Sequence, residues 1–104
     1  MAVEYDTVKR EAVQYANEVR RELPVEKVFL FGSYAQGTAD ELSDVDIAFF
    51  IRDFGGKSRF DIGVELLRMT HNYNAYIEPL VFSFSEIERG NPFVNEIIIT
   101  GQEI

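Results

Sequence analysis

Tyr5, Val8, Ala12, Tyr15, Val19 and Leu23 recur at steps of three and four, with Lys9, Arg10, Glu11, Glu18 and Arg20 mostly between them. That is the spacing of a helix with one face turned to a core, and Pro24 predicts its end. The next apolar run, Lys27 to Phe31 (KVFLF), is short and aromatic and leads into Gly32, as a buried strand entering a tight turn does. From Asp44 to Ile51 the period changes: Val45, Ile47, Phe49 and Ile51 fall on one side of a strand, and Asp44 and Asp46 share the other.

Arg52 to Ser58 reads as a loop by its paired glycines. Ser58 with Asp61 three residues on predicts the start of a helix reaching about Thr70, weakened by Gly63. Ala75 to Ser83 (AYIEPLVFS) alternates as a third strand, and Pro79 places it at an edge or at an unpaired amide. Ser85 with Glu88 has the form of a capping box, and Asn91 followed by Pro92 that of a cap with proline at the first helical position. A last helix is expected from Pro92 toward Thr100, ended by Gly101. The alternative is a strand over Glu96 to Thr100, with its three consecutive isoleucines; the agreement of start and stop signals favours the helix. The order is α, β, turn, β, α, β, α, an α/β (α+β) arrangement without repeat or linker.

A chain of 104 residues, 46% hydrophobic, has the size of one domain with one core, so a single domain over residues 1–104 is expected. The formal net charge of -8 argues against nonspecific nucleic-acid binding, whose footprint is basic. Free nucleotides, which arrive with a divalent cation, remain compatible. With no cysteine and one histidine, His71, any metal has to be held by oxygen or by that imidazole. The first residues are charged, with no apolar signal core, and no run has the length of a membrane span. A cytoplasmic protein without membrane contact is the expectation.

The chemistry concentrates in GSYAQGTADELSDVD, Gly32 to Asp46. A strand delivering Gly-Ser into a turn and a short helical start presents backbone N–H groups and a hydroxyl to an anion. Gly32 permits close approach of the backbone, Ser33 offers its hydroxyl to a phosphate, and Gly37 lets the chain leave the turn in a conformation other residues resist. Asp44 and Asp46, on one side of a strand, repel each other, and a divalent metal relieves that repulsion. Mg2+ takes one or two carboxylates plus phosphate oxygens and water, so the pair beside a phosphate-binding turn is suitable. A second ion needs another carboxylate. Glu78, an acid within an apolar strand, is the candidate. Such a set would align a nucleotide's phosphates, neutralise the leaving pyrophosphate and supply a general base, a role open to Asp46 or Glu78.

These residues resemble the minimal nucleotidyltransferases of the DNA polymerase beta superfamily, whose signature is G-S-x-x-R-G, five residues, then S-D-x-D and an apolar strand. Here it reads GSYAQG, TADEL, SDVD, IAFF. The flanking VEKVFLFGS and YIEPLVFS are also similar to that family, so the resemblance covers nearly the whole chain. It implies a small mixed β-sheet flanked by helices, nucleotide phosphates held at Gly32, Ser33 and Gly37, and one or two Mg2+ ions on Asp44, Asp46 and Glu78 as the catalytic carboxylates. Gln36 departs from the pattern by replacing the usual arginine, which removes a positive charge beside the phosphates. Domains of this size resemble the antitoxin half of a two-gene pair whose partner is a HEPN-type helical ribonuclease. The resemblance then implies transfer of AMP from ATP, or of another NTP's monophosphate, to a tyrosine of that partner. Two rivals follow: a catalytically weak or inactive binding module that neutralises a helical partner by contact, motivated by Gln36, and a small-molecule transferase whose acceptor pocket is built in a homo-oligomer.

Other polar residues have plainer readings. His71, near a helix C-terminus, fits a cap contact. Arg52, Lys57 and Arg59, near the end of the aspartate-bearing strand, are either phosphate contacts or solvated loop charges. Phe49, Phe50, Phe54, Phe60, Phe82 and Phe84 are expected in the core.

Overall fold

The computed structural model describes residues 5–40 and 42–104; the expectations for the first residues, and Glu41 of the motif, lie outside the described residues. In chain order the elements are α1 (Tyr5–Glu22), β1 (Val25–Phe31), α2 (Ser33–Gln36), β2 (Val45–Ile51), α3 (Arg59–Met69), a 3-10 turn (Thr70–Asn72), β3 (Ile77–Ser83), α4 (Ser85–Glu88), α5 (Pro92–Thr100) and β4 (Gln102–Glu103). The strands form one sheet in the order β3-β2-β1-β4. β1 is antiparallel to β2 and to β4, while β3 runs parallel to β2, to which α3 connects it. The sheet is therefore mixed and carries helices on both faces.

Alternation along the strands sorts the core. Val28, Leu30, Val45, Ile47, Phe49, Ile51, Ile77 and Val81 meet Ala12, Tyr15, Ala16 and Val19 of α1 and Ile62 and Leu66 of α3 on one face. Tyr15 is the centre of that layer: its ring meets Phe49 edge-on at 5.6 Å, and its hydroxyl donates to the Leu66 carbonyl at 2.7 Å. On the other face Phe29, Phe31, Ala48, Phe50 and Phe82 lie under Val94 and Ile97 of α5. The Phe50 and Phe82 rings stack there at 5.3 Å. Because α5 is short, it roofs only part of this second face.

The caps show how local sequence sets the ends. Ser58 accepts from the Asp61 N–H at 3.0 Å while Asp61 accepts from the Ser58 N–H at 3.3 Å, so the expected capping box forms. Asn91 accepts from Phe93 and Val94 ahead of Pro92, and Glu96 to Thr100 is helical. The expected box at Ser85 and Glu88 does not form. Phe84 holds the N-cap position of α4 without a side-chain bond, and the carboxylate that reaches back is Glu86, onto the Ser83 N–H at 2.8 Å, because the chain turns two residues earlier than the serine spacing implies. Gly101 ends α5 with extended backbone, and its need for glycine is spatial. A Cβ there would lie 2.4 Å from the Ile97 carbonyl oxygen and 2.9 Å from that of Leu30. That close approach lets Gln102 and Glu103 pair with Leu30 and Phe29 as β4, a strand too short to leave a pattern in sequence.

β3 is the edge strand that Pro79 signals. Val45 donates to the Tyr76 carbonyl at 2.7 Å and Phe84 to that of Ile51 at 3.0 Å, which fixes the phase of the ladder. Ile77, Pro79, Val81 and Ser83 therefore turn their backbone groups outward. The Ile77 N–H is bonded to the Ala75 carbonyl, Pro79 has none, and the Ser83 N–H is held by Glu86. Val81 keeps the one outward donor without such cover.

Candidate active site

Three strand ends converge at one margin of the sheet: β1 leaves there, and β2 and β3 enter. Phe31 is paired with Asp46, so Gly32, the next residue, turns directly over that aspartate. Its φ of 73° and ψ of -151° lie in a region essentially restricted to glycine. A Cβ at Gly32 would fall 2.3 Å from an Asp46 carboxylate oxygen. Glycine is thus required both by conformation and by the aspartate beneath it.

From this turn α2 starts at once. The Ala35 and Gln36 amides donate to the Gly32 carbonyl, so the helix's own bonds begin there and the Ser33 and Tyr34 amides precede them. Gly37 closes α2 in the left-handed conformation, at φ 78°, and donates to Ser33. Its amide is committed within the turn, so its contribution is conformational. Gln36 is exposed on the same helix.

Asp46 and Glu78 are direct partners in the parallel β2–β3 register, and Asp44 lies immediately before β2. Val45, Ile47 and Ile77 are buried in the α1/α3 layer, so Asp44, Asp46 and Glu78 leave their strands on the opposite side, beyond the part that α5 covers. Asp44 and Glu78 are exposed and Asp46 is half-buried. The Asp46 carboxyl is pushed up to about 6, first by removal from water, then by the charges of Glu78 and Asp44. Glu78 is also raised, first by a hydrogen bond to Asp44, which exists only while one of the two carboxyls keeps its proton, then by burial and by the Asp44 charge. Among the described residues no three acidic or histidine side chains converge as a ready-made metal-binding group. The donor set nonetheless suits a hard divalent cation: oxygen ligands only, gathered on one face.

The loop before Asp44 is built by Asp40 and by Ser43, the serine of the S-D-x-D stretch. Asp40 accepts from the Leu42 N–H at 2.9 Å, and the Ser43 hydroxyl accepts from the Asp40 N–H at 2.9 Å. Ser43 therefore fixes the entry of Asp44 into β2. Behind α2, Gln102 donates to the Ala35 carbonyl at 3.5 Å and accepts from Tyr5 at 2.8 Å, tying the turn to β4 and α1.

The other candidates lie elsewhere. Arg52, Lys57 and Arg59 are at the far end of β2, where they pair with Glu26, Glu65 and Glu86. His71 is exposed in the 3-10 turn. Phe49, Phe50 and Phe82 are buried and Phe54 and Phe84 partly so, but Phe60 is 77% exposed. It lies at the start of α3, on the side away from Ile62 and Leu66, and is not a core residue. A hollow of about 340 Å³ between α1 and α3 is likewise remote from the carboxylates. A smaller one of about 200 Å³ adjoins Gly32 and Gln36 under Phe93 and Glu96 of α5.

A mixed sheet with a glycine-serine turn over paired carboxylates defines the nucleotidyltransferase class of fold. The nucleotidyltransferase domain family matches residues 13–100, and the chain belongs to that family. Among solved structures it is similar to a candidate nucleotidyltransferase from Sulfolobus solfataricus, with 28% identity, a TM-score of 0.60, and 75% of this chain and 68% of that chain covered. It also shares its fold with a chain of a toxin-antitoxin complex with AMP-PNP, with 19% identity, a TM-score of 0.56, and 97% and 72% of the two chains covered. No curated protein matches the sequence. No helix among the described residues is long and apolar enough to cross a membrane.

Proposed function

We propose that this chain, acting as one minimal domain over residues 1–104, transfers AMP from ATP to a hydroxyl acceptor, a tyrosine of a HEPN-domain partner, as the antitoxin of a cytoplasmic pair. The observation that carries the reading is the in-register placement of Asp46, beneath the Gly32 turn, and Glu78, with Asp44 beside them.

In this reading the Gly32–Ser33 backbone and the Ser33 hydroxyl receive the nucleotide's phosphates, and Gly37 fixes the shape of that turn. Asp44, Asp46 and Glu78 would hold one or two Mg2+ ions, which when bound supply the positive charge for the leaving pyrophosphate. That contribution matters more here than in relatives with an arginine at the position of Gln36. A carboxylate with a raised pKa accepts the acceptor's proton near neutrality. Asp46, half-buried between Glu78 and Asp44, has that character.

The toxin-antitoxin fold neighbour, a complex with AMP-PNP, supports an adenine nucleotide and a partner protein. Gln36, exposed and uncharged, supports the second reading, an inert module that neutralises its partner by contact alone. A homo-oligomer that builds a small-molecule acceptor pocket would be a further variant of the first. The test is to incubate the protein with α-labelled ATP, Mg2+ and a HEPN-domain protein encoded beside it, against the Asp44→Asn/Asp46→Asn variant. Label on a partner tyrosine from wild type alone is the expected result. Inhibition of the partner without any label would leave only the binding module standing.

A further inference from the structure

Five tyrosines occur in the chain, and four of them are withdrawn from solvent or committed. Tyr15 is fully buried and donates to the Leu66 carbonyl, and Tyr34 is 6% exposed. The Tyr5 hydroxyl donates to Gln102 and that of Tyr73 to Glu18, each partly buried. Tyr76 is different. It is 71% exposed, and its hydroxyl makes no hydrogen bond with another described residue.

Its position is fixed by backbone. The Tyr76 carbonyl accepts from the Val45 N–H at 2.7 Å, which seats the residue beside Asp44, one position ahead of the paired length of β3. Ile77 points into the α1/α3 layer, so Tyr76 and Glu78 leave the strand on the opposite side, the side of Asp44 and Asp46. Two residues along an extended strand separate Tyr76 from Glu78 by about 7 Å at the backbone. A phenol therefore stands at the margin of the carboxylate cluster, where the proposed transfer needs a hydroxyl acceptor.

We infer that Tyr76 is an acceptor of the chain's own transfer reaction, so that the protein adenylylates itself beside its active site. This rests on the proposed transferase activity. The Tyr76 Oη attacks the α-phosphorus of ATP, an Oη–P bond forms, the bond from Pα to the bridging oxygen of the β-phosphate breaks, and pyrophosphate leaves. The phenolic proton passes to the Asp46 carboxylate, the base of the proposed transfer, which pairs with Glu78 across the strands. The product carries AMP over Asp44 and Glu78, where it obstructs the next ATP, so the modification limits itself to one turnover per chain.

The test incubates the full chain alone with α-labelled or γ-labelled ATP and Mg2+, followed by peptide mapping by mass spectrometry. Expected is label from the α-phosphate only, on Tyr76, at a rate per chain independent of protein concentration. Tyr76→Phe is expected to lower it at least tenfold, with an unchanged thermal midpoint showing that the variant is folded. Label retained in Tyr76→Phe, label mapped to another residue, or a rate that rises with protein concentration overturns the same-chain assignment. Absence of self-label overturns it too. In that case label on the HEPN-domain partner leaves the proposed function intact, and its absence there removes both.

Discussion

Asp46 and Glu78 face each other directly across the parallel β2–β3 pair. Two carboxylates in that relation, with Asp44 beside them, are an unfavourable arrangement for the protein alone. The energetic consequences give the transferase reading its most direct tests.

Asp46 binds its proton more tightly in the folded chain, at about 6, than an unfolded aspartate at 3.8. The folded state therefore holds the extra proton between those values. Stability from this group is greatest below about pH 4 and is lost as pH rises through about 6. Without divalent ions, Asp46→Asn is expected to raise stability at pH 7 by about 1–2 kcal/mol, a figure reduced for the water that reaches a half-buried group. Urea unfolding at pH 4 and pH 7 checks it: the gain should be present at pH 7 and shrink at pH 4.

Mg2+ should act in the opposite sense to that repulsion. Added at millimolar concentration near pH 7, it is expected to raise the thermal midpoint of wild type by a few degrees, roughly the shift that 1 kcal/mol produces in a domain of this size. Chelation should return the midpoint to its starting value. The Asp44→Asn/Asp46→Asn variant should show no shift, and an equal shift there would remove the carboxylates as ligands.

Gly32→Ala forces a Cβ against Asp46 in backbone that alanine resists. A loss of about 1–3 kcal/mol is expected from the conformation and the clash together. Transfer activity should fall further than the unfolded fraction explains, because the aspartate has to move. Circular dichroism melts and single-turnover transfer, measured on the same preparation, separate the two effects.

How far the sequence disclosed this site depended on the range over which each signal acts. The alternation around Val45 and Ile47 placed Asp44 and Asp46 on one side, and the structure puts them there, because period-two burial is a local property. Glu78 was visible as an acid among apolar residues, yet its register with Asp46 is set by the α3 crossover and by pairing between distant segments. The Ser58 and Asn91 caps were legible for the same local reason. Ser85 misled because the segment closes its turn with Glu86 and Ser83 instead. β4 left no trace, since it consists of Gln102 and Glu103 and depends on the backbone approach at Gly101. Phe60 illustrates the limit of composition: an aromatic residue is counted as core until its helix is placed.

Gln36→Arg restores a cation on α2 next to Gly32. An interaction of about 1–2 kcal/mol with the phosphates corresponds to an ATP affinity raised roughly five- to thirtyfold. Titration with a fluorescent ATP analogue measures it. Unchanged affinity would mean that the nucleotide's phosphates do not run along α2.

Tyr73 supplies a test remote from the site. Its hydroxyl is pushed up to about 12 by burial first and then by its hydrogen bond to Glu18, while an unfolded tyrosine titrates near pH 10. The folded state keeps the proton longer, so stability is retained below about pH 10 and declines from there toward 12. Tyr73→Phe should make that decline shallower. Unfolding free energies at pH 9, 10 and 11 in the two proteins give the comparison.

The outer side of β3 offers backbone donors almost nowhere: Pro79 has none, and Ala75 and Glu86 occupy those of Ile77 and Ser83. A companion protein that met this margin would find a single free donor, at Val81, and would be recognised mainly by side chains. Pairing specificity would then be free to drift by surface substitution, one residue at a time, while the strand scaffold beneath the carboxylates stayed as it is. If the proposed partner exists, the blunted margin would separate the evolution of that partnership from the upkeep of the chemistry.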